Sequence, residues 1–269
     1  MDEFTVELIV TGNELIYGRL VDTNSPWLSN RIWEEGGQVS RITLVGDDLT
    51  AIQDTLLSAL KRSPRMIVVT GGLGPTFDDI TVEAVAKAIG RQVVLNEAAF
   101  ESLRKKYDLL SRQRGVPMEI TPQRRKMACV VEGATPIPNP VGLAVGTRIE
   151  GDPTIVILPG VPKEMMAMFD ESVAPAIRAK SGAVTRAQEL RIWMKAYGGL
   201  SPTVEDVMRR HPGAFIKTYA GDIDEDAGMR VDVLVRGASE AVCTASVASI
   251  LQELQRRLEG AGGRLRLQR

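Results

Sequence analysis

The sequence predicts an α/β protein, with a doubly wound, mostly parallel sheet over residues 1–180 and a small α+β domain over residues 181–269. Three observations carry that reading. Short apolar runs alternate with segments of helical periodicity through the first half of the chain, as in βαβ units. One of those runs feeds a glycine-rich turn, TGGLGPTFDD (Thr70 to Asp79), and then a helix. Near Ser181 and Gly182 the pattern changes to strand-like stretches separated by helices in a βαββα order.

Val6 to Thr11 is a short apolar run, as expected of a parallel strand covered on both faces. Pro26 to Glu35 reads as a helix, with Leu28 and Ile32 spaced i, i+4 and Gly36–Gly37 as the stop. Val39 to Val45 is the second strand. Asp47 or Asp48 can cap the next helix, where Ile52, Leu56, Leu57 and Leu60 form one face. Met66 to Thr70 is the third strand. The helix after the glycine-rich turn runs from about Asp79 to Ile89, with Val82, Val85, Ala86 and Ile89 on one side and Gly90 at its end. Asn96 caps a long charged helix to about Arg114. Thr135 to Gly142, TPIPNPVG, holds three prolines and reads as a rigid loop. Ala144 to Ile149 and Ile155 to Leu158 read as a hairpin ended by Pro159–Gly160. A Met-rich helix follows from Lys163 to about Lys180, with Pro175 as a kink or break. In the second domain, Leu190 to Ala196, Phe215 to Tyr219 and Met229 to Val235 read as strands, and Pro202 to Arg210 and Glu240 to Leu258 as helices. Arg264, Arg266 and Arg269 read as a solvated basic tail.

Composition narrows the chemistry. Hydrophobic residues make up 44% and charged residues 25%, ordinary globular values. The 33 Lys and Arg nearly balance the 34 Asp and Glu, so no basic field points to nucleic acid. No apolar run reaches the roughly 18 residues of a membrane span, and the acidic MDEFTVELIV start is unlike a signal peptide, so a cytoplasmic protein is expected. Cys129 and Cys243 are expected to be reduced thiols, and no CxxC or Cys/His cluster offers a structural zinc site. The single histidine, His211, lies in a Pro/Gly turn, which argues against a His-based triad. Carboxylates, hydroxyls, lysines or a metal must therefore carry any catalysis.

The glycine-rich turn is the strongest candidate site. A strand, a glycine turn and a helix N-terminus let the backbone approach a phosphate and attract it. The turn is neither a Walker loop nor GxGxxG; what distinguishes it is Asp78 and Asp79. Two carboxylates would repel a phosphate unless a divalent metal sat between them. The plainer alternative makes one of them the helix cap. Other loops fall at the same carboxyl edge of the strands. TGNE (Thr11 to Glu14) offers Glu14 to the same metal, VDTNSPW offers Asp22, Thr23 and Asn24 as polar groups, with capping by Thr23, Asn24 or Ser25 as the plainer alternative, and Asp47 and Asp48 follow the second strand. PNPVG and LPGVPKE are rigid turns that suit the wall for a flat ring.

In order, TGNELIYGRLVDTN, VGDD, TGGLGPTFDDITVEAVA, PNPVG and LPGVPKEM resemble the competence/damage-inducible CinA family, whose first half is similar to the molybdopterin-binding domain of MogA and MoaB. The match covers roughly residues 5 to 175, and ELRIWMKAYGGLSPTVEDVM with the later strands is similar to that family's small KH-type domain. The family's C-terminal amidase domain, which deamidates nicotinamide mononucleotide, has no counterpart in the 269 residues, and that activity is not expected. The resemblance implies a three-layer MogA-like fold. It also implies metal-dependent pyrophosphatase activity on ADP-ribose, giving AMP and ribose 5-phosphate, or, as in the MogA relatives, binding of molybdopterin in the same pocket.

By motif position, Gly71, Gly72, Leu73 and Gly74 would hug phosphate or ring, with Gly12, Asn13, Asp22, Asn24 and Thr76 also touching the ligand. Asp78, Asp79 and Glu14 would hold the metal (Mg²⁺, Mn²⁺ or Co²⁺, with K⁺ as a further ion) and act in catalysis, Asp79 orienting or deprotonating a water. Asp47 would contact the ligand or a water on the metal, and Asn139, Gly142, Pro159 and Gly160 would line the pocket. Bacterial members usually read Gly-Asp-Glu where this chain has Gly12-Asn13-Glu14. The expected partner is a nucleotide or pterin, and a homo-oligomer is expected. Nucleic acid is not: Gly198–Gly199 falls short of a GxxG loop, and Asp222, Asp224, Glu225 and Asp226 are acidic.

Overall fold

The computed structural model describes residues 3–194, 197–224 and 228–267. It divides into two compact units, Met1–Trp33 with Gly37–Ser181 and Glu34–Gly36 with Gly182–Arg269. The first unit begins β1 (Phe4–Thr11), α1 (Asn13–Ile16), α2 (Asn24–Glu34), β2 (Gly37–Val45), α3 (Leu49–Arg62), β3 (Met66–Thr70) and α4 (Thr81–Ala88). It continues with β4 (Val93–Leu95), α5 (Glu97–Arg114), α6 (Pro122–Arg125), β5 (Cys129–Val131), β6 (Thr135–Ile137), β7 (Gly146–Ile149), β8 (Thr154–Leu158), α7 (Pro162–Met168) and α8 (Ala174–Ser181).

Six strands form one mixed sheet in the order β2-β1-β3-β8-β7-β6. The pairings from β2 to β8 are parallel, and those of β7 with β8 and β6 are antiparallel. Side chains alternate between two buried faces. Ile9, Ile67, Val69 and Ile157 meet Ile52, Leu56, Val85 and Leu103 of α3, α4 and α5. Leu8, Val68, Val156 and Leu158 meet Leu28, Ile32, Met165 and Phe169 on the other side. Burial on both faces is why these strands read as unbroken apolar runs. A separate two-stranded antiparallel sheet, β4 with β5, escaped the sequence reading because three-residue strands leave no periodicity to detect.

Several expected elements are corrected. Thr135 to Ile137 is an edge strand rather than loop; Pro136 is tolerated there because an edge position need not donate to a ladder. The break in the Met-rich helix is a π-turn at Phe169–Val173, just before Pro175. The helix after the glycine-rich turn starts at Thr81 with Ile80 as N-cap, so neither Asp78 nor Asp79 caps it. Leu57, placed on the apolar face of α3, is 40% exposed, whereas Leu56 is fully buried.

The second unit holds β9 (Val184–Trp193), α9 (Leu200–Arg210), β10 (Ala214–Asp224), β11 (Gly228–Gly237), α10 (Glu240–Gly260) and β12 (Arg264–Leu267). Its sheet, β10-β11-β9-β12, is antiparallel throughout, and Leu190, Val231 and Val233 pack on Val207, Ile250 and Leu254 of the helices. The expected basic tail is instead a strand, and the Arg264 guanidinium lies 4.9 Å from the centre of the Trp193 ring. Lys195, Ala196, Glu225, Asp226 and Arg269 lie outside the described residues. His211 pairs through Nε2 with Glu253 at 3.1 Å, and both cysteines are free. Among the described residues no helix is long and apolar enough to cross a membrane.

The two leucines of α3 give a direct test of this packing. Leu56→Ala is expected to cost about 2–5 kcal/mol in urea denaturation, and Leu57→Ala less than about 1 kcal/mol.

Candidate functional site

Parallel pairing sets Thr11 beside Val45, Val10 beside Thr70 and Thr70 beside Leu158. The loops that follow β1, β2, β3 and β8 therefore emerge along one edge, where open α/β sheets bind ligands. They surround a cavity of about 600 Å³, a size ordinary for small-molecule sites. Of the residues expected at a site, Gly12, Glu14, Asp47, Gly71, Gly72, Leu73, Gly74, Thr76, Asp78, Asp79, Gly142, Pro159 and Gly160 all line it.

The glycine-rich turn is bent by two left-handed residues, Gly71 (φ 106°) and Gly72 (φ 63°), where a Cβ would strike the Thr11 carbonyl and the Thr81 side chain. Thr11 ties the floor together: its hydroxyl lies 3.3 Å from the Thr70 carbonyl and 3.1 Å from the Thr81 hydroxyl. Beyond the turn, Asp79 Oδ2 accepts from the Thr76 backbone N–H at 2.8 Å and from its hydroxyl at 2.7 Å. Asp78 Oδ1 contacts the same hydroxyl. One hydroxyl proton serves one acceptor, so at the Thr76 hydroxyl two carboxylate oxygens compete for a single proton.

Asn13 does not line the cavity. Its N–H donates to Asp47 Oδ2 at 2.8 Å, and its Oδ1 accepts from the Asp47 N–H at 3.2 Å. This reciprocal clamp joins the loops after β1 and β2, and it uses the side-chain oxygen that Asn shares with Asp. Asp47 itself has its pKa raised by burial, opposed by the Asn13 N–H and reinforced by the charges of Glu14, Asp78 and Asp79. Asp22 Oδ1 accepts from the N–H groups of Asn24 and Ser25, so Asp22, not Thr23, Asn24 or Ser25, caps α2. Asn24 reaches across to the Gly160 carbonyl at 2.8 Å. Both Asp22 and Asn24 line a smaller recess beside Glu14, of about 110 Å³.

Asn139 also stays out of the cavity and shapes its wall. Its Oδ1 accepts from the Val141 and Gly142 N–H groups, and its Nδ2 donates to the Ala144 carbonyl and to Glu164. Glu164, on the rim of the cavity, was missed in the sequence although it ends the LPGVPKE turn. Lys106 of α5 was missed as well. Its ammonium donates to the Asn139 and Gly142 carbonyls, and burial lowers its pKa against the pull of Glu164. Nothing in a helix rich in Lys and Arg distinguishes it.

The oxygen-only donors around the cavity suit a hard divalent cation. They do not form a cage: among the described residues, no group of three or more His, Cys, Asp or Glu stands in metal-holding geometry. Small hard cations such as Mg²⁺ are commonly held by one or two carboxylates, with phosphate oxygens and waters completing the shell.

A family model described as "probable molybdopterin binding domain" matches residues 7–179, a span that contains every residue lining the cavity. The chain belongs to this family. A protein of Pyrobaculum arsenaticum is 35% identical over 95% of each chain. One of Pyrococcus furiosus is 43% identical over 65% of this chain and 70% of its own. The crystal structure of CinA from Thermoplasma acidophilum, a protein with unknown function, is 39% identical with a TM-score of 0.56, covering 65% of this chain and 98% of that one. The span matched by the family thus covers the sheet and helices of the first unit, with the cavity at its carboxyl edge.

The raised pKa of Asp47 has a thermodynamic consequence. Its ionised form is less favourable folded than unfolded, so it opposes folding at neutral pH and ceases to do so once protonated in both states. Asp47→Asn is expected to raise the melting temperature at pH 7, an advantage that fades as the pH falls through the raised pKa of folded Asp47 toward the ordinary carboxylate value of 3.8 and is gone below it. Equal melting shifts at both pH values would contradict this electrostatic account.

Proposed function

We propose that the cavity binds a nucleotide pyrophosphate together with a divalent cation and hydrolyses it, as a CinA-type pyrophosphatase acting on ADP-ribose or a similar dinucleotide. The convergence of Asp78 and Asp79 on the single hydroxyl of Thr76, beside a glycine turn that admits a phosphate, carries this reading. Asp78 and Asp79 would hold the cation with the pyrophosphate oxygens completing its shell, and Glu14 supplies a further carboxylate to the same cavity. When bound, the cation supplies neutralisation of the charge on the pyrophosphate. Thr76 fixes the Asp79 carboxylate through two donors, so its free oxygen has a set direction for orienting a water. Asp47, clamped by Asn13, stands on the same cavity as a second acceptor. Asn13 serves this site through the clamp, which an amide performs as well as a carboxylate.

A second reading rests on the family and on the unassembled donor set: a non-catalytic molybdopterin- or nucleotide-binding protein related to molybdenum-cofactor synthesis. Turnover separates the two. Incubation with ADP-ribose and Mg²⁺, Mn²⁺ or Co²⁺ is expected to release AMP, and Asp78→Ala and Asp79→Ala to lower the rate by roughly 100-fold with unchanged melting. Folded protein that releases no AMP from ADP-ribose or related dinucleotides, yet binds molybdopterin tightly, establishes the second reading instead.

A further inference from the structure

On the other side of the glycine-rich turn lies a second cavity of about 570 Å³. It shares one wall with the first, since Gly72, Leu73, Gly74 and Asp79 line both. Its remaining surface is of a different kind. Ile80, Val82, Ala86 and Val93 give it an apolar body. Lys87, Arg91 and Lys126 stand around it, against the acids Glu83 and Asp79. Phe77 belongs to this cavity alone and is 93% exposed, an aromatic ring with almost no protein cover.

Each cation is held in place by a partner that leaves it with donors to spare. Lys126 donates to the Thr76 carbonyl, Arg91 Nη1 to the Glu132 carbonyl at 3.2 Å, and Lys87 pairs with Glu83 at 2.7 Å. An ammonium has three donors and a guanidinium five. An apolar slot of this size with an exposed ring and positive charge at its margin is complementary to a flat molecule carrying an anion. We propose that this cavity is a second ligand site, for an aromatic anion of the nucleoside monophosphate class, with Phe77 stacking on the ring and Lys126 and Arg91 meeting the phosphate. The site is separate from the pyrophosphatase reading and stands without it.

Cys129 provides the reporter. It lines this cavity and is half-buried, whereas Cys243 is fully buried in the second unit. Burial pushes the Cys129 thiol pKa up, with Arg125 partly opposing, so its alkylation by iodoacetamide is best followed in mildly alkaline buffer. EDTA keeps divalent cations out of the first cavity, and peptide mass spectrometry reads the modified residue. AMP is expected to slow alkylation of Cys129 saturably, while adenosine and ribose 5-phosphate, each lacking half of the recognised features, protect far less. Phe77→Ala and Lys126→Met should each move the AMP midpoint upward by roughly tenfold, and Lys126→Arg should restore it. Both changed side chains sit at the margin of the cavity, so the fold is retained. Alkylation unaffected by AMP up to about 10 mM, a concentration above any useful affinity, overturns the site. So does protection whose midpoint is the same in wild type, Phe77→Ala and Lys126→Met.

Discussion

Everything at the candidate site depends on the parallel register of β1, β3 and β8. Those strands are buried on both faces, and their pairing fixes the ends of all three at one level. A shift of one residue would turn Ile9, Ile67 and Ile157 to the wrong layer, so the register is strongly specified by burial. Loops that are remote in sequence, from Gly12 to Glu164, are thereby brought around one cavity. The chain then concentrates negative charge on that edge. Glu14, Asp47, Asp78, Asp79 and Glu164 all face the cavity, and the rise in the Asp47 pKa registers part of their mutual repulsion.

Glycine plays two parts here. Gly71 and Gly72 are needed for the bend itself. At Gly12, Gly74 and Gly142 a Cβ would meet the carboxylates of Glu14, Asp79 and Glu164 respectively, flexible ends that would have to move aside. The small residues therefore make room for acids as much as for a ligand.

What was legible in the sequence was what periodicity and turn chemistry encode. The runs at Val6 and Met66 announced buried strands, and the glycine turn between Thr70 and Asp79 announced the cavity wall. What was not legible depends on tertiary contact. Asn13 reads as a residue touching the ligand until its pairing with Asp47, 34 residues away, is seen. Lys106 reads as one more charge on α5 until its ammonium is found under the Asn139 loop. The plainer alternative, that one of Asp78 and Asp79 caps the helix, arises from a helix expected to start near Asp79; the start at Thr81 leaves both carboxylates in the turn before it.

That last displacement matters beyond the boundary. An Asp spent on capping would have its charge absorbed by the helix N-terminus. Here the cap position is Ile80, which offers no side-chain bond, and the two carboxylates instead share the donors of Thr76. Thr76 in turn offers its carbonyl to Lys126, which lines the other cavity. The acidic pair is thus held by a single residue whose opposite end is anchored by a cation. The glycine turn is a shared wall: the first cavity is lined by carboxylates without a lysine or arginine, whereas the second adds Lys87, Arg91 and Lys126 to Asp79 and Glu83.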